Sequence, residues 1–442
     1  MAKTSWAVSV ELERMQATNL IELAGLCTGI CDFDKSFWRI LGLLFRYFSD
    51  LFGLRLRKMK TKDSFYIRLI NSMPMSYLDQ IASPTLVIDE KITRANLEKM
   101  ANKAHALGKK LVPHWKTAQS RIIGNWAKDC GIREVTASSI SLAEYLCGQG
   151  WDCIHIAFPF NIREIPRLNR LAAKQGISVQ VVNSATARAL AEGLTEKVEF
   201  FVELDAGYGR TGIQSTDEAE LEAIFNQADR SEFLKFKGFY IHPGHTYYGK
   251  DMDKIHLESQ EALAKMKAKY LHRFPKVVTR LGDTPGCAIR EDFGGVDELG
   301  PGNFVFFDLM QVQLGSCTKE DISICLAVPV VDIRKDRKEI LIHGGGVHLA
   351  KDVLIHENGS KSFGEIVLLN DKGWTIPSHS SFVKSISQEH GIIQASDELL
   401  ASIQVGDLLG ILPVHSCMTA DCMGSYLSLD GQRIDHAEGR ID

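Results

Sequence analysis

Leu111-Val112-Pro113-His114-Trp115-Lys116-Thr117 decides how this chain is read. An apolar run delivers one lysine to the end of a predicted strand, and the residues that follow, Gln119 to Cys130, read as a helix. A strand that ends in a lysine and turns into a helix is where barrel enzymes keep their chemistry. A desolvated lysine there can lose its proton and form a Schiff base. A lone lysine at a strand end is ordinarily a surface cation, so its reading rests on the rest of the chain.

Working outward, strands and helices alternate. Thr85 to Asp89 reads as a strand and Ile92 to Leu107 as a helix; the lysine strand follows. Next come strand Glu134 to Ala137 and helix Ser141 to Gln149, then strand Ile154 to Phe158 and helix Ile162 to Gln175. Strand Ser178 to Val182 leads to helix Ser184 to Gly193, and strand Val198 to Leu204 to helix Thr216 to Asp229. Strand Phe236 to His242 precedes a long helix, Asp251 to Leu271. Val277 to Leu281 and Glu298 to Phe307 complete the series. This rhythm implies right-handed parallel crossovers. About eight such units in roughly 240 residues predict an α/β fold, a closed (β/α)8 TIM-type barrel rather than an open sheet. Beyond about residue 320 the crossover helices stop. Segments at Ile322–Val331, Lys338–Ile342, Phe363–Leu369, Ile386–His390 and Asp407–Val414 predict a mostly antiparallel β domain.

The expected organisation is therefore an N-terminal extension over 1–75, a barrel over 76–320 and a β domain over 321–442, with the strand near 76–90 able to pack on the latter. In the extension, Trp38 to Leu54 is apolar but interrupted by Arg39, Arg46 and Asp50, and a basic tail (Arg55, Arg57, Lys58, Lys60) follows. It is too short and too charged for a membrane span and lacks a signal cleavage site. It reads as a peripheral helix, or as sequence upstream of the natural start, with Met59, Met73 and Met75 as alternative starts; an amphipathic membrane-surface helix is the competing reading.

Bulk properties exclude several classes. The 442 residues carry 51 basic and 55 acidic side chains, a net charge of -4, with no basic block of the kind that binds nucleic acid. Ten cysteines form no disulfide-like framework, which points to the reducing cytoplasm.

Five further stretches carry chemistry. Glu203-Leu204-Asp205-Ala206-Gly207-Tyr208-Gly209-Arg210-Thr211-Gly212 combines glycines, which allow close backbone approach to a ligand, with the permanent charge of Arg210. In Gly238 to Tyr247, His242, Gly244 and His245 follow a strand, where an imidazole can stack on a ring or bind an anion. Leu281-Gly282-Asp283-Thr284-Pro285-Gly286 offers backbone N–H groups and the Thr284 hydroxyl, which suit a phosphate. Glu298 to Asp308 contains the turn Gly300-Pro301-Gly302, and the strand after it is expected to close the barrel. Finally, in Pro413-Val414-His415-Ser416-Cys417-Met418-Thr419, an extended backbone would point His415 and Cys417 to one side. Imidazole plus thiolate favours zinc, and two protein ligands leave open positions. Each stretch is weak by itself and has a plain structural reading.

Taken in order, however, Pro-His-x-Lys-Thr, Asp-x-Gly-x-x-Arg-x-Gly, Gly-x-Tyr-x-His-x-Gly, Thr-Pro-Gly, Pro-Gly-Asn-x-Val-Phe-x-Asp and Pro-x-His-x-Cys-x-Thr resemble the fold-type III pyridoxal-phosphate enzymes, with their alanine racemase-like barrel, and specifically the D-threonine aldolase and D-serine dehydratase family. The resemblance spans about residues 80 to 430. It implies that Lys116 holds pyridoxal 5'-phosphate and serves as the base at Cα. It implies further that Arg210 faces the pyridine nitrogen, that Thr284, Gly286 and Gly244 hold the phosphate, and that His242 lies by the ring or the substrate. His415 and Cys417 would bind Zn2+ or another divalent metal. Two departures bear on the substrate pocket: Trp115, where smaller residues are common, and Gly346-Val347-His348.

The resemblance implies one small D-amino-acid substrate and a homodimer as partners, and three reactions share its chemistry. The His-x-Cys pair favours a metal-dependent lyase acting on a 3-hydroxy D-amino acid. Dehydration to a keto acid and ammonia comes first, since aldolases of this type use carboxylate ligands. Retro-aldol cleavage is second and racemisation third. A pyridoxal-phosphate-binding protein without turnover is the non-enzymatic alternative; the extra β domain with its ligand pair argues against it.

Overall fold

The computed structural model describes residues 76–248, 251–356 and 358–438. The apolar stretch at Trp38–Leu54 lies outside them. Among the described residues no helix is long and apolar enough to cross a membrane.

The first strand, β1 (Thr85–Ile88), is followed by helix α1 (Glu90–Ala106), whose N-terminus Asp89 caps through the Ile92 amide. Eight parallel strands come next: β2 (Lys110–Leu111), β3 (Glu134–Ala137), β4 (Cys153–Pro159), β5 (Ile177–Val181), β6 (Val198–Glu203), β7 (Leu234–Ile241), β8 (Val278–Leu281) and β9 (Glu298–Leu299). They are ordered β2-β9-β8-β7-β6-β5-β4-β3. The helices between them are α2 (Arg121–Asp129), α3 (Ile140–Leu146), α4 (Ile165–Ala172), α5 (Ser184–Gly193), α6 (Glu218–Ala228), α7 (Met252–Tyr270) and α8 (Thr284–Ile289). Several begin at a side-chain cap at a strand's carboxyl end: Ser120, Ser139, Asn183 and Asp283 each accept a backbone N–H of the first turn.

The stretch that opens the sequence reading also closes the barrel. Leu111 pairs with Leu299 on one side. On the other, Thr136 N donates to Pro113 O at 2.8 Å and Trp115 N to Thr136 O at 2.7 Å. Pro113 has no N–H to give, so the regular ladder of β2 stops after two residues while the contact continues. Closure therefore comes from β9 before the Gly300-Pro301-Gly302 turn, not from a strand after it. Residues 303–305 form a 3-10 turn, because the Gly-Pro-Gly break ends the strand at Leu299.

The strand near 76–90, counted in the barrel series but allowed to pack on the β domain, pairs with the β domain. Thr85–Ile88 pairs antiparallel with β10 (Ile324–Arg334), Thr85 opposite Ala327 and Ile88 opposite Ile324. Leu86, Val87 and Ile88 are all buried, and an apolar run of this kind reads alike in a parallel barrel and in a covered antiparallel sheet.

The C-terminal sheet contains β11 (Glu339–His343), β14 (Gly364–Asn370), β15 (Gly373–Thr375), β16 (Phe382–Ile386), β17 (His390–Gln394) and β18 (Leu408–Pro413), while β12 (Leu354–Ile355) and β13 (Lys361–Ser362) form a separate two-stranded hairpin. Antiparallel pairings run β10-β11-β17-β16-β14-β18 and back to β10, a closed six-stranded ring. Inward positions alternate: Ile340 and Ile342, and Leu409 and Ile411, are fully buried. The predicted strand at Ile386–His390 is instead the turn between β16 and β17.

Candidate active site

The site is built where two regions meet at the Lys116 turn. Lys116 is exposed, while its neighbours Trp115 and Thr117 are fully buried. Trp115 points into the core, donating Nε1–H to Ser120 O at 3.0 Å and packing on Trp151 at 5.8 Å. It therefore does not line a substrate pocket. The β domain pins the turn: Tyr426 Oη donates to Ala118 O at 2.7 Å, and Gln119 Nε2 donates to Asp421 Oδ1 at 2.9 Å. Gln119 has a φ of 45°, a left-handed conformation that only such surrounding contacts maintain in a non-glycine residue.

Lys116 and Arg210 bring positive charge to the mouth of the barrel. Burial, with help from Lys116 and other nearby cations, pushes His114 well below its ordinary pKa. Burial likewise lowers His242 to about 4; the Gly282 carbonyl, accepting from Nδ1–H, opposes the shift without reversing it. His242 thus stays neutral at pH 7, with Nε2 left as an acceptor. Arg210 lies over the Tyr208 ring, 5.2 Å from its centroid. Tyr208 also stacks on His245 at 5.9 Å and covers Gly244.

In the Gly282–Gly286 turn, Thr284 Oγ1 accepts the amides of Gly302 at 3.1 Å and Asn303 at 2.9 Å, which leaves its own O–H to donate. Gly286 donates its amide to Asp283 Oδ2 at 2.7 Å. A Cβ at Gly286 would stand 1.6 Å from His256 Nε2, so the glycine is required for that histidine's approach. His256 Nε2 lies 2.9 Å from Asp283 Oδ1, and both are buried. Asp283 thus occupies the cap that a phosphate would otherwise share.

His415 and Cys417 are not on an extended segment. His415 caps helix α9 (Ser416–Met423), and Cys417 lies in its first turn. The two side chains still meet: their hydrogen bond raises the imidazole and lowers the thiol. Burial alone would lower His415, but Asp352 and Cys417 outweigh it and raise the pKa to about 11. Burial would raise Cys417, but chiefly His415 holds it below its ordinary value. His415 Nδ1 lies 3.3 Å from Asp352 Oδ1, which orients the ring and leaves Nε2 toward the thiol.

Four residues here were given no role from sequence: Asp352, and Thr117, Asn303 and Glu203, which lie within the quoted stretches. Asp352 had one available signal, since a ligating histidine ordinarily has a carboxylate or carbonyl on its other nitrogen. Glu203 ends β6 nearly buried, and burial raises its pKa to about 7 against the opposing pull of Arg210, Gln180 and Thr211.

A profile of the family described as "Alanine racemase, N-terminal domain" matches residues 88–309, half of the chain. The chain belongs to the alanine racemase N-terminal domain family. A second profile, of the serine dehydratase domain type, matches residues 323–429. A D-serine dehydratase of Dictyostelium discoideum is 25% identical over 377 residues, covering 79% of this chain and 93% of its own length. A D-threo-3-hydroxyaspartate dehydratase of Delftia sp. (strain HT23) is 25% identical over 367 residues, covering 78% and 94%. A metal-free, cysteine-to-alanine variant of D-threo-3-hydroxyaspartate dehydratase has been solved; its TM-score is 0.75 at 23% identity, covering 83% of this chain and all of that one. D-threonine aldolase from Filomicrobium marinum gives 0.68 at 19% identity, covering 81% and 96%. At these identities the structural likeness shows the fold.

Membership of the alanine racemase-like family supports pyridoxal phosphate as cofactor, and the residues fit it. An exposed amine stands with Arg210 and two imidazoles kept neutral by burial, and the buried Nδ1 atoms of His114 and His245 have no partner. The metal position fits too, since an imidazole oriented by Asp352 lies beside a thiol whose pKa it lowers, a soft donor pair from which a cation would displace protons. A second cluster fits less well. His343 and His348 place Nε2 3.5 and 3.6 Å from Glu389 Oε2. His348 Nδ1, however, accepts the Gly345 amide at 3.1 Å, so its neutral ring carries the proton on Nε2. A metal on Nε2 would turn Nδ1–H against that amide; the cluster is hydrogen-bonded.

Proposed function

We propose that this chain is a lyase, dependent on pyridoxal phosphate and a divalent metal, with zinc the first choice, that eliminates water from a 3-hydroxy D-amino acid. The observation that carries the reading is the juxtaposition of Lys116 with the His415–Cys417 pair: Thr117 Oγ1, one residue along from the amine, lies 3.1 Å from Cys417 Sγ. Elimination needs a base at Cα and an acid at the 3-hydroxyl, and these are its two halves. When bound, pyridoxal phosphate supplies an electron sink at Cα, and a divalent ion held by His415 and Cys417 supplies Lewis acidity at the hydroxyl.

The chain's own residues do the rest. Lys116 Nζ takes the Cα proton. Arg210 keeps its proton, so it meets the pyridine nitrogen only as a donor. His242, neutral, offers Nε2 beside the ring or substrate. The Thr284 hydroxyl, with the backbone near Gly244 and Gly286, takes the phosphate. Two solved variants of the D-threo-3-hydroxyaspartate dehydratase replace a histidine and a cysteine two positions apart, and one is metal-free. His415 and Cys417 have the same spacing, which supports the metal assignment and favours dehydration. The reading includes a homodimer and a cytoplasmic setting; the eight described cysteines, all free, are in keeping with the latter.

The test is to load the protein with pyridoxal phosphate and zinc(II) and incubate it with D-serine, D-threonine and D-threo-3-hydroxyaspartate. Water lost in the elimination is regained on hydrolysis, so D-serine should give pyruvate and ammonia in equal amounts. Glycine plus an aldehyde would replace dehydration by retro-aldol cleavage, and D-to-L interconversion by racemisation. A cofactor-loaded protein inert to all three would sink the lyase reading and leave a cofactor-binding protein.

A further inference from the structure

We infer that Thr117 is a positioning residue that couples occupancy of the metal position to anchorage of the cofactor, with Asn303 completing the bridge. The inference rests on the functional reading above, which puts the cofactor on Lys116 and the metal on His415 and Cys417.

The bridge runs in both directions from one sulfur. On one side, Thr117 is fully buried and its hydroxyl lies 3.1 Å from Cys417 Sγ. Lys116 is the preceding residue, so the hydroxyl and the amine ride on the same turn. On the other side, Asn303 Nδ2 lies 3.6 Å from the same sulfur. Of that nitrogen's two hydrogens, one goes to Asp308 Oδ2 at 2.5 Å and the other is shared between Ser416 Oγ at 3.1 Å and the sulfur, while the Asn303 backbone N–H donates to Thr284 Oγ1 at 2.9 Å. Cys417 is thereby joined to a neighbour of each proposed cofactor anchor, the lysine and the Thr284 hydroxyl.

The turn has little freedom to absorb a displaced sulfur. Tyr426 and Asp421 hold it from the β domain, and Gln119 keeps a left-handed backbone. Gly302 packs against it so closely that a Cβ there would stand 3.3 Å from Thr117 Oγ1 and 3.0 Å from His114 Cβ. A cation held by His415 and Cys417 would change what the Thr117 hydroxyl meets at the sulfur, whichever of the two donates. Any shift of the hydroxyl would be passed to the Lys116 backbone, because Gln119 Nε2 donates to Lys116 O at 3.1 Å and the next carbonyl but one is held by Tyr426. Coupling of this kind is reciprocal: the factor by which the metal tightens the cofactor equals that by which the cofactor tightens the metal.

The experiment uses the full chain stripped of metal and cofactor. Zinc(II) affinity is measured with and without saturating pyridoxal phosphate, and pyridoxal phosphate affinity, from its absorbance, with and without saturating zinc(II). We expect the two factors to agree and to lie in the range of about 5 to 150. Thr117→Val should reduce both to within about twofold of unity while each ligand still binds, and Thr117→Ser, which keeps the hydroxyl, should restore them. A merely structural hydroxyl would lower stability in the valine variant and leave the coupling factor unchanged. Coupling that survives in Thr117→Val, or wild-type protein that binds both ligands with a factor of one, overturns the inference but not the functional reading. Failure of wild-type protein to bind either ligand overturns both. If the valine variant does not fold, a serine variant without coupling also overturns it.

Discussion

The two sides of the Lys116 turn each present a histidine, and they hold it in opposite states. On the barrel side, His242 is half-buried, and desolvation, with nearby cations, lowers it to about 4. On the β-domain side, desolvation would lower the half-buried His415, yet Asp352 and Cys417 raise it to about 11. At pH 7 one ring is a neutral acceptor and the other holds its proton beside a thiol that it makes more acidic. The difference teaches that the neighbours, not the residue type, divide the labour. A cation-rich mouth keeps imidazole neutral for an anionic cofactor, and an anion-rich pocket prepares imidazole and thiolate for a metal.

The largest effects separate the sides. Lys116→Ala should abolish cofactor attachment and lower turnover by at least about 10^3-fold, within the usual contribution of a positioned base, while zinc(II) binding persists. Cys417→Ala should retain the cofactor absorbance and lose zinc(II) by more than about 100-fold, beyond the cost of losing a supporting partner, together with elimination. Absorbance and metal content measured on both variants check the division. If each substitution removes both ligands, the two sides are one site and the contrast fails.

The barrel side was the more legible in sequence. Alternating periodicity reveals parallel crossovers, and a lysine ending a strand, an arginine in a glycine-rich turn and a histidine after β7 are all set by local position. Two things hid the remainder. The run Leu86-Val87-Ile88 is equally apolar in either sheet, so only long-range pairing with Ile324–Ala327 shows where it belongs. On the β-domain side, His415 and Cys417 meet across a helix cap rather than along a strand. Their partners Asp352, Thr117 and Asn303 lie 63, 300 and 114 residues from the side chains they contact, beyond any local pattern. Gly286 was legible as a tight turn, but the His256–Asp283 pair that needs it is a tertiary contact.

A smaller effect probes why the β-domain histidine differs. Asp352→Asn should leave the fold and the cofactor in place and weaken zinc(II) by about 10- to 100-fold, the usual cost of losing a carboxylate behind a ligating histidine. It should also reduce the His415 pKa, because the Asp352 carboxylate that favours the protonated ring is gone. Isothermal titration with zinc(II), and histidine titration by NMR in the metal-free protein, measure the two. An unchanged zinc(II) affinity would mean that Cys417 alone prepares the ring.

The smallest effect is a stability change on the barrel side, at Glu203. Its carboxyl is buried, and one oxygen has no partner. Burial raises its folded-state pKa to about 7, above the value of 4.5 it has when free. The folded chain therefore holds this proton more tightly than the unfolded chain. That contribution to stability is fully present below about pH 4.5 and is lost as pH rises through 7, where a buried charge must form. Glu203→Gln removes the charge and keeps much of the hydrogen bonding. Relative to wild type it should gain stability on going from pH 5 to pH 8, by on the order of 1 to 2 kcal/mol. Urea unfolding at the two pH values, without metal or cofactor, gives the difference directly. A gain equal at both would show that Arg210 already keeps Glu203 ionised, and the barrel mouth would then hold a compensated charge pair where a neutral acid is expected.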